Sequence, residues 1–337
     1  MKLGMTAIFF IVMIAAASTQ LEIAVSAQSG GLPSDVEALY NAGRYRETAE
    51  TLESVLKQNP QDPSLNYWLG RSLFEIPDFS NAIYSFERAV KPEPQNSDYH
   101  DWLGRACGRK AEENSHANMP AALPLARRAH HEFEVAVQLD GRNIRAQRDL
   151  IAFVANAPEA LGGGEKRALE QIRALSSVDA TEGMLALADL YAVRKMFDQA
   201  NTEYQKILES APDRIDPYFE IADYYRDQGN SEAMERSVDS AYRIAPSDRR
   251  LSYYRGVALV LAAREPATAE QNLRTYISDV PENSELPPHA SAYEWLGKLY
   301  ENENKVELAA EQYHTALALN PRDKVAREAL KKLQKKL

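Results

Sequence analysis

The chain has little cysteine and no excess of positive charge. Cys107 is the single cysteine among 337 residues, which excludes an internal disulfide framework and a zinc site built from several thiolates. Lys and Arg total 39 against 49 Asp and Glu, a net charge of −10, and such a field repels nucleic acid. Gly and Pro number 15 and 17, and 45% of the residues are hydrophobic, which excludes low-complexity disorder and a collagen-like chain.

Motifs that carry catalysis are also missing. The sequence contains no G-x-S-x-G nucleophile elbow, no G-x4-G-K-[ST] phosphate loop and no H-E-x-x-H metalloprotease pattern. No base is evident beside Cys107, which a nucleophilic thiol would need, so we expect an inert buried thiol. We therefore predict a non-catalytic protein without a cofactor.

The N-terminal segment has the pattern of an export signal. Lys2 precedes 13 uncharged residues, 5–17 (MTAIFFIVMIAAA), which as a helix span about 20 Å, short of the roughly 30 Å hydrocarbon core. Small residues at 25–27 suit cleavage after Ala27, and 15–17 is a second candidate. We predict a signal peptide over 1–27, a periplasmic or secreted mature chain and no stable membrane insertion after cleavage. The alternative is an uncleaved anchor.

The remainder of the chain repeats. The tetrapeptide Trp-Leu-Gly-Arg/Lys begins at Trp68, Trp102 and Trp295. Gly70 and Gly297 are each followed by Ala at 12 positions, an aromatic residue at 16, Ala at 19 and Pro at 24. Identical spacing in two distant segments indicates an internal repeat. The spacings of 3 and 4 keep the small and aromatic residues on one helical face.

These residues resemble the tetratricopeptide repeat (TPR) family, whose unit has 34 residues and two helices. The resemblance implies an all-α fold, a right-handed α-solenoid of about eight helix pairs over 28–323. The stripe Ala326, Ala329, Leu330, Leu333 and Leu337 predicts a C-terminal capping helix over 324–337, with its lysines in water.

Two departures from the period are candidate functional segments. The third unit is longer than the repeat, with an insertion near 110–124 whose polar residues and prolines indicate an extended turn or loop between the unit's two helices. Such a segment is either functional or a tolerated surface turn. Gly162–Gly164 opens a predicted helix and is interpreted as a flexible turn in preference to an anion site, because no strand precedes it.

The family resemblance also implies a concave groove lined by the first helix of each unit. Aligned from the repeat glycines, the implied peptide-binding positions are Tyr67, Arg71, Phe74, Asp101, Arg105, Arg109, Asp189, Phe219, Asp223 and Arg226. Arginines of the early units could grip a carboxylate, and the line becomes acidic toward the later units. The alternative interpretation is charged faces that are only solvated.

Two functions follow as hypotheses. The first is a non-catalytic protein–protein interaction scaffold or assembly factor of the bacterial cell envelope, which binds a peptide segment or helix of another protein in the groove. The second is a metal-binding or enzymatic protein with a site at the insertion, formed by His116, His130 and His131. Neighbouring helical residues point about 100° apart, so the adjacent pair alone is poorly placed to share a metal.

Overall fold

The computed structural model describes residues 34–115 and 118–333. Throughout these residues the regular elements are helices, and no strand occurs among them. The described residues form two compact units, of which the first ends at Lys206 and the second begins at Ile207. The predicted all-α class is confirmed. The predicted signal peptide, 1–27, lies outside the described residues.

The helices are numbered in chain order. The first unit contains α1 (Ser34–Asn41), α2 (Tyr45–Leu56), α3 (Pro63–Glu75), α4 (Phe79–Val90), α5 (Ser97–Ser115), α6 (Met119–Leu139), α7 (Ile144–Asn156), α8 (Glu165–Val178) and α9 (Ala180–Val193). The boundary falls within α10 (Phe197–Ser210). The second unit contains α11 (Asp216–Asp227), α12 (Ser231–Ile244), α13 (Arg250–Leu261), α14 (Pro266–Asp279), α15 (His289–Asn302), α16 (Val306–Leu319) and α17 (Lys324–Leu333).

In chain order, α1 to α16 alternate as the first and second helices of eight repeats, and α17 follows them. The predicted solenoid of about eight helix pairs with a terminal helix is therefore confirmed, while its right-handed path stays a prediction. In α17, Ala326, Ala329, Leu330 and Leu333 are buried in one cluster with residues of α15 and α16. Leu337 lies outside the described residues.

The repeat glycines explain how the two helices of a unit approach each other. A Cβ atom added at Gly70 would lie 2.7 Å from the ring of Phe86, and one added at Gly297 would lie 2.6 Å from the ring of Tyr313. Both distances are far below van der Waals contact. The aromatic residue 16 positions after each glycine therefore fills the space that the missing side chain leaves, as the sequence pattern predicts.

Two glycines of α5 offer a matched test of this packing. A Cβ at Gly104 would lie 2.7 Å from the ring of Phe133, whereas the nearest atom to a Cβ at Gly108 is the Cβ of Ala129 at 3.9 Å. We expect Gly104→Ala to lower the free energy of unfolding by about 1–3 kcal/mol through overpacking. Gly108→Ala should leave it unchanged or raise it by up to about 1 kcal/mol, because alanine favours the helix. Chemical denaturation of both variants measures the difference, and equal effects would contradict the packing argument.

The insertion near 110–124 lengthens two helices. Residues 110–115 continue α5 and residues 119–124 begin α6, so these helices have 19 and 21 residues. The prediction of an extended turn or loop is wrong. Lys110 lies 2.9 Å from Glu113, an ion pair one turn apart that favours the helix. Pro120 stands in the first turn of α6, where a missing N–H breaks no helical hydrogen bond.

Gly162–Gly164 form a turn, as predicted, between a short 3-10 turn (Glu159–Leu161) and α8. The turn is closely packed. The N–H of Gly164 donates to the carbonyl of Val154 at 2.8 Å, and a Cβ at Gly163 would lie 1.8 Å from the carbonyl oxygen of Ala157. Glycine is therefore required here by close backbone approach.

Candidate interaction surface

Arg71 of α3 is enclosed by aromatic rings. Its guanidinium carbon lies 4.6 Å from the ring centroid of Trp102, 4.7 Å from that of Trp68 and 5.0 Å from that of Tyr40. A guanidinium is weakly hydrated and stacks on aromatic faces, which makes this burial favourable. Only 4% of Arg71 is exposed, so it is a buried contact between repeats instead of the open groove position that we expected. Its role in binding a ligand stays a prediction.

Asp101 of α5 is also buried, and it pairs with an arginine from the next repeat. Arg145 of α7 donates Nε–H to Asp101 at 2.7 Å and Nη2–H to Asp98 at 2.7 Å. Burial raises the pKa of Asp101, and the charges of Arg145 and Arg105 act against that rise. Because Asp101 is 0% exposed, its carboxyl serves the packing of α5 on α7 and offers no surface to a partner.

Arg105 of α5 lies between an indole ring and a carboxyl group. Its guanidinium carbon is 4.1 Å from the ring centroid of Trp102, and its Nε is 3.7 Å from an oxygen of Asp149 in α7. Burial raises the pKa of Asp149 to about 7, and the neighbouring Asp101 carboxyl acts in the same direction. We call Asp98, Asp101, Arg105, Arg145 and Asp149 the first-unit cluster.

Three other predicted residues of the first unit differ in accessibility. Phe74 is 6% exposed and packs edge-on against the ring of Trp102, with centroids 5.5 Å apart. Tyr67 is half-buried, and its ring centroid lies 5.0 Å from that of Tyr99. Arg109 keeps 38% of its side chain exposed. Of these three, Phe74 is part of the core, whereas Tyr67 and Arg109 reach the surface.

Asp189 of α9 is held by hydrogen bonds from two residues. It accepts one from the hydroxyl of Tyr204 at 2.7 Å and one from Arg148 of α7 at 3.1 Å. Arg148 also donates to Glu182 at 2.9 Å. Burial raises the pKa of Asp189, and Arg148 opposes the rise. This carboxylate therefore joins α7 to α9.

Phe219 of α11 belongs to the core of the second unit. It is 1% exposed, and its ring stacks on that of Tyr254 with centroids 4.4 Å apart. The guanidinium carbon of Arg250 lies 4.6 Å from the ring centroid of Phe219. Phe219 is not the exposed position that we expected. Helices α11 and α13 are the first helices of successive repeats, and they lie side by side with these two rings packed between them.

Asp223 and Arg226 of α11 keep part of their side chains in water. Asp223 accepts a hydrogen bond from the hydroxyl of Tyr254 at 2.9 Å. Arg226 pairs with Asp223 at 2.5 Å and with Asp227 at 2.8 Å. The exposed fractions of the Asp223 and Arg226 side chains are 31% and 23%, and that of Asp227 is 65%. Asp223 and Arg226 are therefore partly accessible, and their role in binding a peptide stays a prediction.

A second pair of carboxyl groups adjoins them. Burial raises the pKa of Glu294 in α15 to about 7, and the charge of Asp323 and its hydrogen bond to Glu294 add to the rise. Arg226 and Asp227 interact electrostatically with the same group. We call Asp223, Arg226, Asp227, Glu294 and Asp323 the acidic face. It carries four carboxyl groups and one guanidinium.

The histidines of the alternative hypothesis are not gathered into a site within the described residues. The ring of His130 stacks on Phe153 with centroids 5.0 Å apart, and it lies against Gly162. Burial lowers the pKa of His130. His131 is exposed, and His116 lies outside the described residues. No group of three His, Cys, Asp or Glu side chains able to hold a metal occurs in 34–115 or 118–333.

The cysteine is buried as predicted. Cys107 is 0% exposed, and burial raises the pKa of its thiol to about 12. The thiol is therefore protonated at neutral pH and is shielded from oxidants. Among the described residues, no helix combines the length and the apolar character that crossing a membrane requires.

Comparison with known families agrees with this geometry. Two tetratricopeptide repeat models match the chain, one over residues 35–97 and one over residues 290–323. The chain contains tetratricopeptide repeats. The two matched segments cover α1 to α4 and α15 to α16, apart from the first residue of α1 and of α15. A search of curated proteins finds no significant match.

Solved structures with similar folds include other TPR proteins. The human IFIT1 dimer with m7Gppp-AAAA is 16% identical over 89% of this chain and 70% of that chain, with a TM-score of 0.53. The Cut9 complex, an APC/C hetero-tetramer with Hcn1, is 17% identical over 87% of this chain and 53% of that chain, with a TM-score of 0.50. A tetratricopeptide repeat protein from Parabacteroides merdae is 18% identical over 85% of this chain and 99% of that chain, with a TM-score of 0.48.

The likenesses to the IFIT1 and Cut9 structures concern the fold alone. TPR proteins in general are scaffolds for protein–protein interaction, and their fold is typically non-catalytic. The function of this TPR chain at that coarse level is therefore protein binding.

The repeat alignment missed the groups that the fourth repeat contributes. Arg145, Arg148 and Asp149 of α7 hold the first-unit cluster and Asp189 together. The first helix of that repeat lacks the Trp-x2-Leu-Gly signature, so no groove position was assigned to it. The signal that could have found them is charge: α7 carries two arginines and an aspartate within five residues, opposite carboxyl groups of α5 and α9.

Proposed function

We propose that this TPR protein is a non-catalytic interaction scaffold or assembly factor of the bacterial cell envelope. Its first helices hold a peptide segment or helix of another protein, and a cationic stretch of that segment lies on the acidic face. The N-terminal signal pattern supports the exported location. The family and the buried, protonated thiol support the absence of catalysis.

The observation that carries the proposal is the charge of the acidic face. Its single arginine is already engaged by Asp223 and Asp227, while Glu294 and Asp323 crowd each other. A lysine or arginine of a partner would relieve this repulsion and form charge-assisted hydrogen bonds. Asp227, with 65% of its side chain exposed, is the group most open to such a partner.

The first-unit arginines contribute differently from our expectation. Arg71 and Arg105 are buried and stacked on rings, so reversing their charge would disturb folding before it disturbed binding. Arg109 and Tyr67 are the accessible groups of that unit.

The test uses synthetic peptides, because it does not depend on knowing the partner. Fluorescence anisotropy of the purified chain with an arginine- and lysine-rich peptide should show binding that weakens with salt. A glutamate-rich peptide of the same length should bind much more weakly. Equal binding of the two peptides would contradict the assignment of a cationic segment.

Asp227→Lys locates the site. We expect the affinity for the cationic peptide to fall about 3- to 10-fold, the effect of reversing one exposed charge. Asp239→Lys is the matched control, because Asp239 is an exposed aspartate on α12, the second helix of the same repeat, and it should bind like the natural chain. An equal loss of affinity in both variants would indicate that the peptide responds to the overall negative charge of the chain and has no specific site on the acidic face.

Among the described residues, no observation favours the alternative of a metal or enzyme site at the lengthened third repeat. His130 is packed against Phe153 and Gly162, and His131 points into solvent. We therefore propose binding alone.

A further inference from the structure

Two oxygens of the first-unit cluster have no ordinary donor. Asp101 Oδ1 and Asp149 Oδ2 are buried and receive no hydrogen bond from an N–H or hydroxyl group among the described residues. Arg105 Nε is 3.7 Å from Asp149 Oδ2, beyond hydrogen-bond length. A buried carboxylate oxygen without a donor is costly and requires an explanation.

The two carboxyl groups supply the explanation themselves. Asp101 of α5 accepts a hydrogen bond from Arg145 of α7, and Asp149 of α7 lies 3.7 Å from Arg105 of α5, so each carboxyl group faces the other's helix. The Asp101 carboxyl also raises the pKa of Asp149, through its charge and through a hydrogen bond between the two side chains. An ionised carboxylate can only accept a hydrogen bond. A hydrogen bond between two carboxyl groups therefore needs a proton on one of them, and that proton would satisfy both oxygens.

The charge balance of the surroundings favours the same state. The pair has charged or titratable neighbours on four helices. Helix α5 contributes Asp98 and Arg105, α7 contributes Arg145, and α3 contributes Arg71 and Tyr67. Helix α9 contributes the carboxylates of Glu182 and Asp189, and both of these are paired with Arg148 of α7. Within the first-unit cluster, three carboxyl groups face two guanidiniums. If one of the three carboxyl groups is protonated, the remaining two carboxylates balance the two guanidiniums, and the buried cluster has no net charge.

We infer that Asp101 and Asp149 share one proton in the native first unit, and that loss of this proton drives the two carboxylates apart and loosens α5 against α7. The first unit is thereby a pH-responsive element. Two like charges in one buried site cannot both ionise without a large free-energy cost.

The direction of the pH effect follows from proton linkage. Burial raises the pKa of Asp149 from 3.8 to about 7, so the native unit holds a proton that the unfolded chain has released. The stabilising effect of this proton is complete below the unfolded pKa. It is lost as the pH rises through about 7. Stability of the first unit should fall from mildly acidic to mildly alkaline pH.

The experiment compares the purified chain with Asp149→Asn, whose amide can donate to Asp101 at every pH. At about pH 5.5, unfolding of the natural chain should release about one proton more than unfolding of the variant. The unfolding midpoint of the variant should exceed that of the natural chain at mildly alkaline pH and match it at acidic pH. An unchanged proton release, with an equal shift of the midpoint at both pH values, would overturn the inference.

Glu294→Gln separates this effect from that of the acidic face, because Glu294 also titrates near pH 7. Glu294→Gln should remove the proton that Glu294 binds. The changes in proton release and unfolding midpoint caused by Asp149→Asn should be the same in the Glu294→Gln background as in the natural chain. If the Asp149→Asn variant does not fold, infrared spectroscopy of the Glu294→Gln variant tests whether a protonated carboxyl group is present. A protonated-carboxyl band present at mildly acidic pH should vanish as the pH rises above 7, and its absence from that chain would refute the shared proton.

Discussion

Arg145→Met should lower the free energy of unfolding of the first unit by about 3–5 kcal/mol. The arginine neutralises Asp101, which is 0% exposed, and it bonds Asp98 as well. Methionine retains a similar apolar stem but leaves a carboxylate in the core without its main cation. Removing one partner of a buried ion pair costs more than the pair contributes, because the remaining charge stays desolvated.

Urea denaturation followed by circular dichroism measures this loss. Arg142→Met is the matched control, since Arg142 is an exposed arginine just before α7 and its replacement should change stability by at most about 0.5 kcal/mol. If the two variants were equally stable, Asp101 would not depend on Arg145. A part of the loss should return at acidic pH, where Asp101 can be protonated.

Gly163→Ala is expected to destabilise the first unit by about 3 kcal/mol or more. The added Cβ would lie 1.8 Å from the carbonyl oxygen of Ala157 and 2.4 Å from its carbon. Both atoms are backbone, so no side-chain rotation can relieve the overlap. The turn would have to move, and with it Gly162, which covers the ring of His130.

Thermal unfolding of Gly163→Ala beside Gly141→Ala isolates the steric cause. Gly141 lies in an exposed turn, where the nearest atom to an added Cβ is a carbonyl oxygen at 3.9 Å. That variant should unfold at nearly the same temperature as the natural chain, because the contact is of ordinary length. A Gly163→Ala chain as stable as the control would show that the turn is free to adapt.

Both predictions concern contacts that no short stretch of sequence contains. Arg145 and Asp101 are 44 residues apart, and each looks like an ordinary charged residue of an amphipathic helix. Gly163 resembles any glycine of a flexible turn until the carbonyl of Ala157 is placed beside it. The sequence interpretation of this turn was right about its location and missed its close packing.

The third repeat also differs between the sequence-based prediction and the structure. Its polar residues and prolines predicted a loop, yet most of them extend α5 and α6. A proline in the first turn of a helix costs little, and local ion pairs such as Lys110 with Glu113 support the added turn. Composition alone did not distinguish these helical ends from a loop.

The sequence by itself determined the repeat, the helical class and the helix pairing, because each follows from short-range spacing: small residues and an aromatic residue recur at fixed intervals, and they pack against the adjacent helix of the same unit. Tertiary structure decided which first-helix side chains reach water. Arg71 and Arg109 were both assigned to the groove from the sequence, but one is 4% exposed among rings of neighbouring repeats and the other keeps 38% of its side chain exposed. Burial depends on which groups the neighbouring repeats place beside a residue, and the pairing of Asp101 with Asp149 across 48 positions exists only once α5 and α7 lie side by side.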